Sequence, residues 1–138
     1  MQIRYVLITL IVIVALTSFK KNDLKNEQTI AIEQTMADSV LRHVVLFKFK
    51  EGTTKDQLHD YETAFGALKN KIPEIVSFEW GLNNSPEGLE KGFTHCFFVT
   101  FSSEEDREIY LPHPDHQAFV SLIDPSVDDV LVVDYWTK

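Results

Sequence analysis

Residues 41–50, Leu41-Arg-His-Val-Val-Leu-Phe-Lys-Phe-Lys50, are the stretch that decides the fold. Most of their side chains are β-branched or aromatic, and these residue types favour an extended strand. Val44, Val45, Leu46 and Phe47 follow one another without a polar residue, so both faces of the strand are predicted to be buried. A strand of this kind needs a covering layer on each side.

The residues that follow predict the remaining elements in order. Two capping boxes, Thr54 with Gln57 and Ser102 with Glu105, are expected to open helices. Pro114 takes the favoured first position of a further helix. Alternating or continuous apolar residues predict three more strands, over 75–83, 93–101 and 130–136.

The order of these elements is β-α-β-β-α-β, which predicts an α+β fold of the ferredoxin-like type, a four-stranded antiparallel sheet with two main helices on one face. Two helices cannot cover both faces of strands that are apolar on each side. A second copy packing sheet against sheet would bury the other face, with Leu46, Phe98 and Val133 at the contact. The sequence therefore predicts a homodimer.

The N-terminal segment differs in kind from this domain. Arg4, an apolar run that ends at Leu16 and small residues after it predict a secretory signal peptide over residues 1–21, with an uncleaved anchor as the alternative. Phe19 stands where a lipoprotein signal would carry its lipidated cysteine, so no lipid anchor is expected. Residues 22–40 predict a polar tether with a frayed helix around residues 30–36, and the domain occupies residues 41–138. We expect an exported protein, periplasmic or secreted, with no membrane contact beyond this signal.

Charge and motif content exclude several classes of function. The formal net charge of −8, without a basic cluster, predicts no nucleic-acid partner because nucleic-acid phosphates would be repelled. The one cysteine, Cys96, cannot form a disulfide within the chain. The sequence contains no Walker, Rossmann, zincin or nucleophile-elbow motif, so the large cofactor-dependent classes are not predicted.

The stretch Arg107–Phe119 carries groups that can exchange protons. His116 shares a predicted helix face with Phe119 and lies in the first helical turn, where the helix dipole favours the neutral imidazole that a general base requires. Asp134 interrupts the last apolar strand, and an unpaired buried carboxylate is costly. A hydrogen bond between His116 and Asp134 would satisfy both groups. The alternative is a structural pair that holds the second helix against the last strand.

The other candidate side chains each have two interpretations. Tyr110 either donates its hydroxyl to a carbonyl oxygen and stabilises an enolate, or is an ordinary core aromatic. His113 caps the following helix or lines the mouth of a pocket. His43 and His95 lie in strands, where they contribute to a site or satisfy cross-strand partners. Zinc needs three or four converging ligands and only two histidines are locally arranged, so no metal site is predicted.

Four ordered motifs resemble the stress-responsive A/B barrel (Dabb) family. The motifs are Leu41–Lys50, Gly92-Phe-Thr-His-Cys-Phe-Phe-Val-Thr-Phe101, Tyr110-x-x-His-Pro-x-His116 and Val132-Val-Asp-Tyr135. The resemblance implies a dimeric α/β barrel, and some members bind a divalent ion, so such an ion is left open here. A polyketide cyclase of the family has a tyrosine and histidine pair that falls on Tyr110 and His116, and the aspartate that supports its histidine falls on Asp134.

Together these observations predict a homodimer with a small apolar pocket. The leading hypothesis is lyase- or cyclase-like acid–base chemistry, without a cofactor, on a small hydrophobic carbonyl compound. His116 is its base, Asp134 the residue that orients the base and Tyr110 the donor. The expected binding residues are His43, His95, His113 and Phe119. Two alternatives stay open: a non-enzymatic stress-protection or small-ligand-binding module, and a cofactor-free monooxygenase like those found among dimeric ferredoxin-like barrels.

Overall fold

A computed structural model describes residues 25–30 and 39–138 of the chain. Residues 25–30 are helical and belong to a unit separate from the domain, which begins at Ser39. The predicted signal peptide and most of the predicted tether lie outside the described residues. Within these two ranges, no helix has the length and hydropathy that crossing a bilayer requires.

The domain has the predicted ferredoxin-like arrangement, so the fold class is confirmed. Its antiparallel sheet has the strand order β2-β3-β1-β4. The strands are β1 (Leu41–Phe49), β2 (Ser77–Leu82), β3 (His95–Phe101) and β4 (Val127–Trp136). The helices are α1 (Lys55–Lys71), α2 (Glu104–Tyr110) and α3 (Pro114–Ile123), and a single 3₁₀ turn, Asp124–Ser126, leads from α3 into β4.

Side-chain capping sets the starts of the helices. The Thr54 hydroxyl accepts from the Gln57 N–H and the Gln57 side chain accepts from the Thr54 N–H, so the first predicted capping box is confirmed. The second is wrong by one residue. Ser103 is the N-cap of α2, and its hydroxyl accepts from the Asp106 N–H at 3.1 Å. Two adjacent serines before an acidic run offer the same pattern twice, and only the backbone conformation selects between them.

Two strands are shorter than predicted. β2 begins at Ser77 and β3 at His95, although sheet-type hydrogen bonds continue beyond the strand ends. The Val76 N–H donates to the Thr100 carbonyl and the Asn83 N–H to the Thr94 carbonyl, each at 2.8 Å. β4 begins at Val127, before the predicted start at residue 130, so its start was underestimated. The apolar pattern indicates which residues are buried, not where regular pairing begins or ends.

The covered face of the sheet carries the hydrophobic core. The ring of Phe65 in α1 lies 4.4 Å from that of Phe119 in α3 and 4.6 Å from that of Phe97 in β3. Burial of a large apolar side chain stabilises the fold by about 1.5–3 kcal/mol. These rings therefore hold both long helices against the centre of the sheet.

The opposite face of the sheet, here called the open face, remains uncovered in the domain. Strand register brings its apolar residues into contact across three strands: Val44, Leu46, Cys96, Phe98, Leu131 and Val133. Leu131 and Val133 are both 45% exposed. A contiguous apolar patch on a sheet is typical of a protein interface.

Candidate functional site

A cavity of about 250 Å³ lies between the covered face of the sheet and the helices α2 and α3. Its apolar wall consists of Val45, Phe47, Phe65, Leu111, Val120, Ile123, Val127, Val130 and Val132. Its polar residues are His43, Tyr110, His116 and Asp124. A small apolar cavity with a few polar groups is the usual form of a small-molecule site.

Tyr110, the last residue of α2, lies between the two imidazoles of this cavity. Its ring is 4.3 Å from the ring of His116 and meets the ring of His43 edge-on at 5.8 Å, measured between centroids. Its side chain is fully buried, and its hydroxyl has no hydrogen-bond partner among residues 39–138. Burial raises the pKa of the Tyr110 phenol well above its ordinary value, so the hydroxyl is a protonated donor at neutral pH.

His116 is held in one neutral tautomer in the first turn of α3. Its Nδ1 lies 2.8 Å from the Leu111 carbonyl oxygen, and since a carbonyl only accepts, Nδ1 carries the hydrogen. Nε2 is then the acceptor. Burial lowers the pKa of His116; the Leu111 hydrogen bond opposes this effect, and charge on His43 and His113 reinforces it. The neutral ring with a basic Nε2 is therefore the favoured form near pH 7.

The predicted hydrogen bond between His116 and Asp134 is wrong. Asp134 lies directly opposite His43 in the β1–β4 ladder, and its Oδ1 accepts from Nδ1 of His43 at 2.7 Å. Its Oδ2 accepts from the Arg107 guanidinium, also at 2.7 Å. Residues paired across neighbouring strands are in direct reach of each other, whereas the His116 ring has its own acceptor in the loop before α3. Asp134 therefore orients His43.

His43 is buried near the start of β1 and lines the cavity. The bond to Asp134 uses Nδ1, which carries the hydrogen because the carboxylate is the acceptor. Nε2 makes no hydrogen bond within the described part of the domain and is the nitrogen available to a ligand. The cavity thus has two imidazoles, His43 bound to a carboxylate and His116 bound to a backbone carbonyl, with a tyrosine between them.

His95 lies away from this cavity, beneath the first half of α1. Its Nε2 is 3.3 Å from the Glu62 carboxylate and its Nδ1 is 2.8 Å from the Thr94 hydroxyl. Burial lowers the pKa of His95, and Glu62 opposes that effect. The partners of this histidine are a helix carboxylate and the hydroxyl of its neighbour in the chain, not the predicted cross-strand partners. The structure does not place His95 with the other candidate residues.

His113 and Phe119 do not line the cavity either. His113 is the N-cap of α3, where its Nδ1 accepts from the Asp115 N–H at 3.2 Å, so the capping alternative is the one observed. Phe119 belongs to the hydrophobic core, stacked near Phe65. Among residues 25–30 and 39–138, no three His, Cys, Asp or Glu side chains converge in a way that could hold a metal ion.

Arg107 is the residue of this site that the sequence analysis did not single out. It donates to Asp134 from α2, the same helix that ends in Tyr110. Residues three apart in a helix share a face, so Arg107 and Tyr110 approach the sheet together. The three-residue spacing of Arg107 and Tyr110 can be read from the sequence. The hydrogen bond from Arg107 to Asp134 on β4 cannot, because it depends on how α2 packs against the sheet.

The fold and this cavity define a ferredoxin-like domain with a small, mostly apolar site. The sequence matches the Stress responsive A/B Barrel Domain over residues 41–137, and the chain belongs to this family. It is 36% identical over 99 residues to the stress-response A/B barrel domain-containing protein HS1 of Arabidopsis thaliana, which covers 72% of this chain and 91% of the relative. It is 30% identical over 95 residues to olivetolic acid cyclase of Cannabis sativa, covering 69% of this chain and 94% of the cyclase.

Two solved structures have a backbone fold similar to that of this chain. The hydroxynitrile lyase from Passiflora edulis superimposes with a TM-score of 0.68 at 27% identity, covering 72% of this chain and 94% of the lyase. A dimeric ferredoxin-like protein of unknown function from Thermobifida fusca gives a TM-score of 0.60 at 28% identity, covering 70% of this chain and 90% of that protein.

Proposed function

We propose that this protein is an exported homodimer whose cavity carries out cofactor-free acid–base chemistry, of the lyase or cyclase type, on a small hydrophobic carbonyl compound. The observation that carries the proposal is the buried hydroxyl of Tyr110, which has no protein partner among the described residues and lies beside a neutral histidine, His116. A buried donor left without an acceptor costs about 1–3 kcal/mol. A bound carbonyl oxygen would supply that acceptor.

The chemistry follows from the protonation states of the two groups. Nε2 of His116 removes a proton from the carbon beside the carbonyl, and the electron pair of the broken C–H bond forms the C=C bond of an enolate. Negative charge moves to the carbonyl oxygen, which accepts a hydrogen bond from Tyr110. A donor placed where charge develops in the transition state can contribute several kcal/mol to catalysis, because it is already oriented before the reaction begins.

His43 supplies a second proton-transfer group on the other side of Tyr110. Its Nδ1–H is bound to Asp134, so its Nε2 is available to receive or return a proton. Positive charge that forms on this ring lies against a carboxylate, whereas charge on His116 has a backbone carbonyl beside it. Aldol-type closure and C–C cleavage both move two protons, and two imidazoles of different character suit that requirement.

The size and composition of the site support a small apolar substrate. A volume of about 250 Å³ is below the usual range of drug-sized pockets, about 300–1,000 Å³. Two similar proteins are named as catalysts of this kind of reaction, olivetolic acid cyclase and the Passiflora hydroxynitrile lyase. Their names support the reaction class for this chain, and the cavity volume restricts its substrate to compact molecules.

The assembly and the location of the protein have separate support. The open face exposes apolar side chains that a second copy would cover, and a structurally similar protein is described as dimeric. Export is supported by the N-terminal sequence, with Arg4 followed by an apolar run that ends at Leu16.

Binding and turnover across a panel of small aldehydes, ketones and cyanohydrins test the proposal. Wild type is compared with Tyr110→Phe and His116→Ala, and His59→Ala serves as the control because that imidazole is 78% exposed and lies outside the cavity. We expect the two cavity variants to lose turnover and the control to keep it. If wild type and both cavity variants all bind a compound of the panel and none of them turns it over, the result would support a non-enzymatic binding module.

A further inference from the structure

The short helix α2 is attached to β4 by a row of side chains on one face. Glu104, Arg107 and Tyr110 are spaced three residues apart and therefore share that face. Glu104 accepts a hydrogen bond from the Trp136 indole at 3.4 Å, and Arg107 donates to Asp134 at 2.7 Å. Because Tyr110 completes the row, the helix that carries the cavity's tyrosine also reaches the carboxylate that orients His43.

The two oxygens of Asp134 are divided between two partners. Oδ2 accepts from Arg107, and Oδ1 accepts from Nδ1 of His43. A carboxylate engaged at both oxygens has one orientation, and the imidazole bound to it has one tautomer and one ring plane. The chain of contacts therefore runs from the sheet-facing side of α2 to the cavity: Arg107, Asp134, His43.

The ion pair between Arg107 and Asp134 is partly buried, with side chains 21% and 29% exposed. A partly buried pair whose carboxylate also binds a second side chain contributes to folding as well as to the orientation of that carboxylate. The charges of α2 indicate a role in orienting Asp134. Arg107 is the one cation of this helix, and its other charged residues are all acidic: Glu104, Glu105, Asp106 and Glu108. Without the guanidinium, Asp134 would lie beside an acidic helix and lose the partner that holds Oδ2.

We propose that Arg107 is a positioning residue: it fixes the Asp134 carboxylate and thereby holds His43 in the Nδ1–H tautomer, with Nε2 free for the substrate. This inference rests on the proposed function where it concerns turnover. The tautomer of His43 can be observed without any substrate.

The test uses three variants of the purified protein. Arg107→Met removes the guanidinium and keeps a long, helix-compatible side chain. Arg107→Lys keeps the charge with a different geometry. Lys71→Met is the matched control, because Lys71 also forms a partly exposed ion pair, with Asp115 at 3.3 Å, and neither residue lines the cavity. The ring ¹⁵N chemical shifts of His43 report its tautomer, and thermal unfolding reports whether each variant is folded.

In wild type and in Lys71→Met, we expect the His43 signals of a single Nδ1–H tautomer. Arg107→Met should remain folded and show both tautomers, and Arg107→Lys should lie between. Where turnover is measurable, kcat should fall about tenfold in Arg107→Met, with KM changed less than about twofold. A tenfold loss is smaller than the roughly 10²- to 10⁴-fold contribution of a positioned acid or base, because Arg107 acts on His43 only through Asp134. His43 signals in Arg107→Met that match wild type would overturn the inference while leaving the proposed function intact. A shifted tautomer with no turnover in wild type would uphold the positioning role and count against the proposed function.

Discussion

Nδ1 of His43 and Oδ1 of Asp134 lie 2.7 Å apart, joining the first part of β1 to the edge strand β4 at one residue pair of their ladder. The Asp134 carboxylate is therefore hydrogen-bonded to His43 on the sheet. The second imidazole, His116 on α3, donates to the Leu111 carbonyl instead. The cavity has one histidine whose positive charge a carboxylate can balance and one that burial keeps neutral. That difference is the basis of the proposed acid–base chemistry.

Asp134→Asn tests this relationship directly. An amide carbonyl can accept from His43 or from Arg107, but its NH₂ group cannot replace the second carboxylate oxygen, so one of the two partners is lost. We expect kcat to fall by about tenfold or more, within the range of positioned acid–base catalysis. Asp128→Asn is the control, because Asp128 is also an ion-paired aspartate of β4 but lies on the surface with Lys48. Equal turnover in the two variants would show that Asp134 has no role in the reaction.

The buried hydroxyl of Tyr110 leads to a prediction about stability. Tyr110→Phe removes a donor that has no partner within the domain, so it should raise the free energy of unfolding by about 1 kcal/mol. Tyr61→Phe removes a hydroxyl that is 2.8 Å from the Ser126 hydroxyl in the core, and should lower that free energy by about 1 kcal/mol. Urea denaturation measures both. Destabilisation of the same size in both variants would mean that the Tyr110 hydroxyl is satisfied in the folded protein.

His116 should make stability depend on pH. Burial lowers its folded-state pKa below the ordinary value of 6.5, so the unfolded chain binds the proton more readily. Its contribution is therefore fully present above about pH 6.5 and is lost as the pH falls toward the lower, folded-state pKa. His95 has a lowered pKa for the same reason and contributes with the same sign.

Unfolding measured at several pH values checks this effect. In His116→Ala the rise in stability with pH just below 6.5 should be smaller than in wild type. An identical slope in wild type and His116→Ala would contradict the buried, neutral state assigned to His116.

The open face predicts the oligomeric state. Leu131→Glu places a charge on the open face, in the edge strand β4, where burial against a second copy would require desolvating it. We expect this variant to be a monomer in light scattering at micromolar concentration, while wild type is a dimer. Leu122→Glu on α3 is a matched control, since Leu122 is 47% exposed and Leu131 is 45% exposed. A wild-type monomer, or a Leu131→Glu dimer, would count against a sheet-to-sheet dimer.

The sequence was sufficient for the fold because its signals are local. Thr54 and Gln57 cap α1, Pro114 opens α3, and apolar strands that need cover on both faces indicate a sheet with a second layer. The order of the elements was enough to predict the ferredoxin-like arrangement of the sheet. Strand ends were less well predicted, because an apolar residue such as Ile75 is buried whether or not it belongs to the ladder.

The site was harder to predict because its partners are not local. The position of His116 on the apolar face of its helix correctly predicted that its ring points toward the sheet. Its hydrogen-bond partner, however, is the backbone carbonyl of Leu111, which no pattern of side chains reveals. The pairing of His43 with Asp134 depends on the register of β1 against β4, and a shift of one residue would turn Asp134 to the other face. Predicting the role of Arg107 would have required both that register and the position of α2 against β4.

Acid–base chemistry on a carbonyl compound can be observed as proton exchange. Small aldehydes and ketones are incubated with the protein in D₂O, and the loss of the α-proton signal is followed by ¹H NMR. Wild type should accelerate exchange of at least one compound above the rate in buffer. His116→Ala and Tyr110→Phe, shown to be folded by thermal unfolding, should lose that acceleration, while His59→Ala should retain it. Exchange at the buffer rate for every compound, or acceleration unchanged in both cavity variants, would contradict the proposed chemistry.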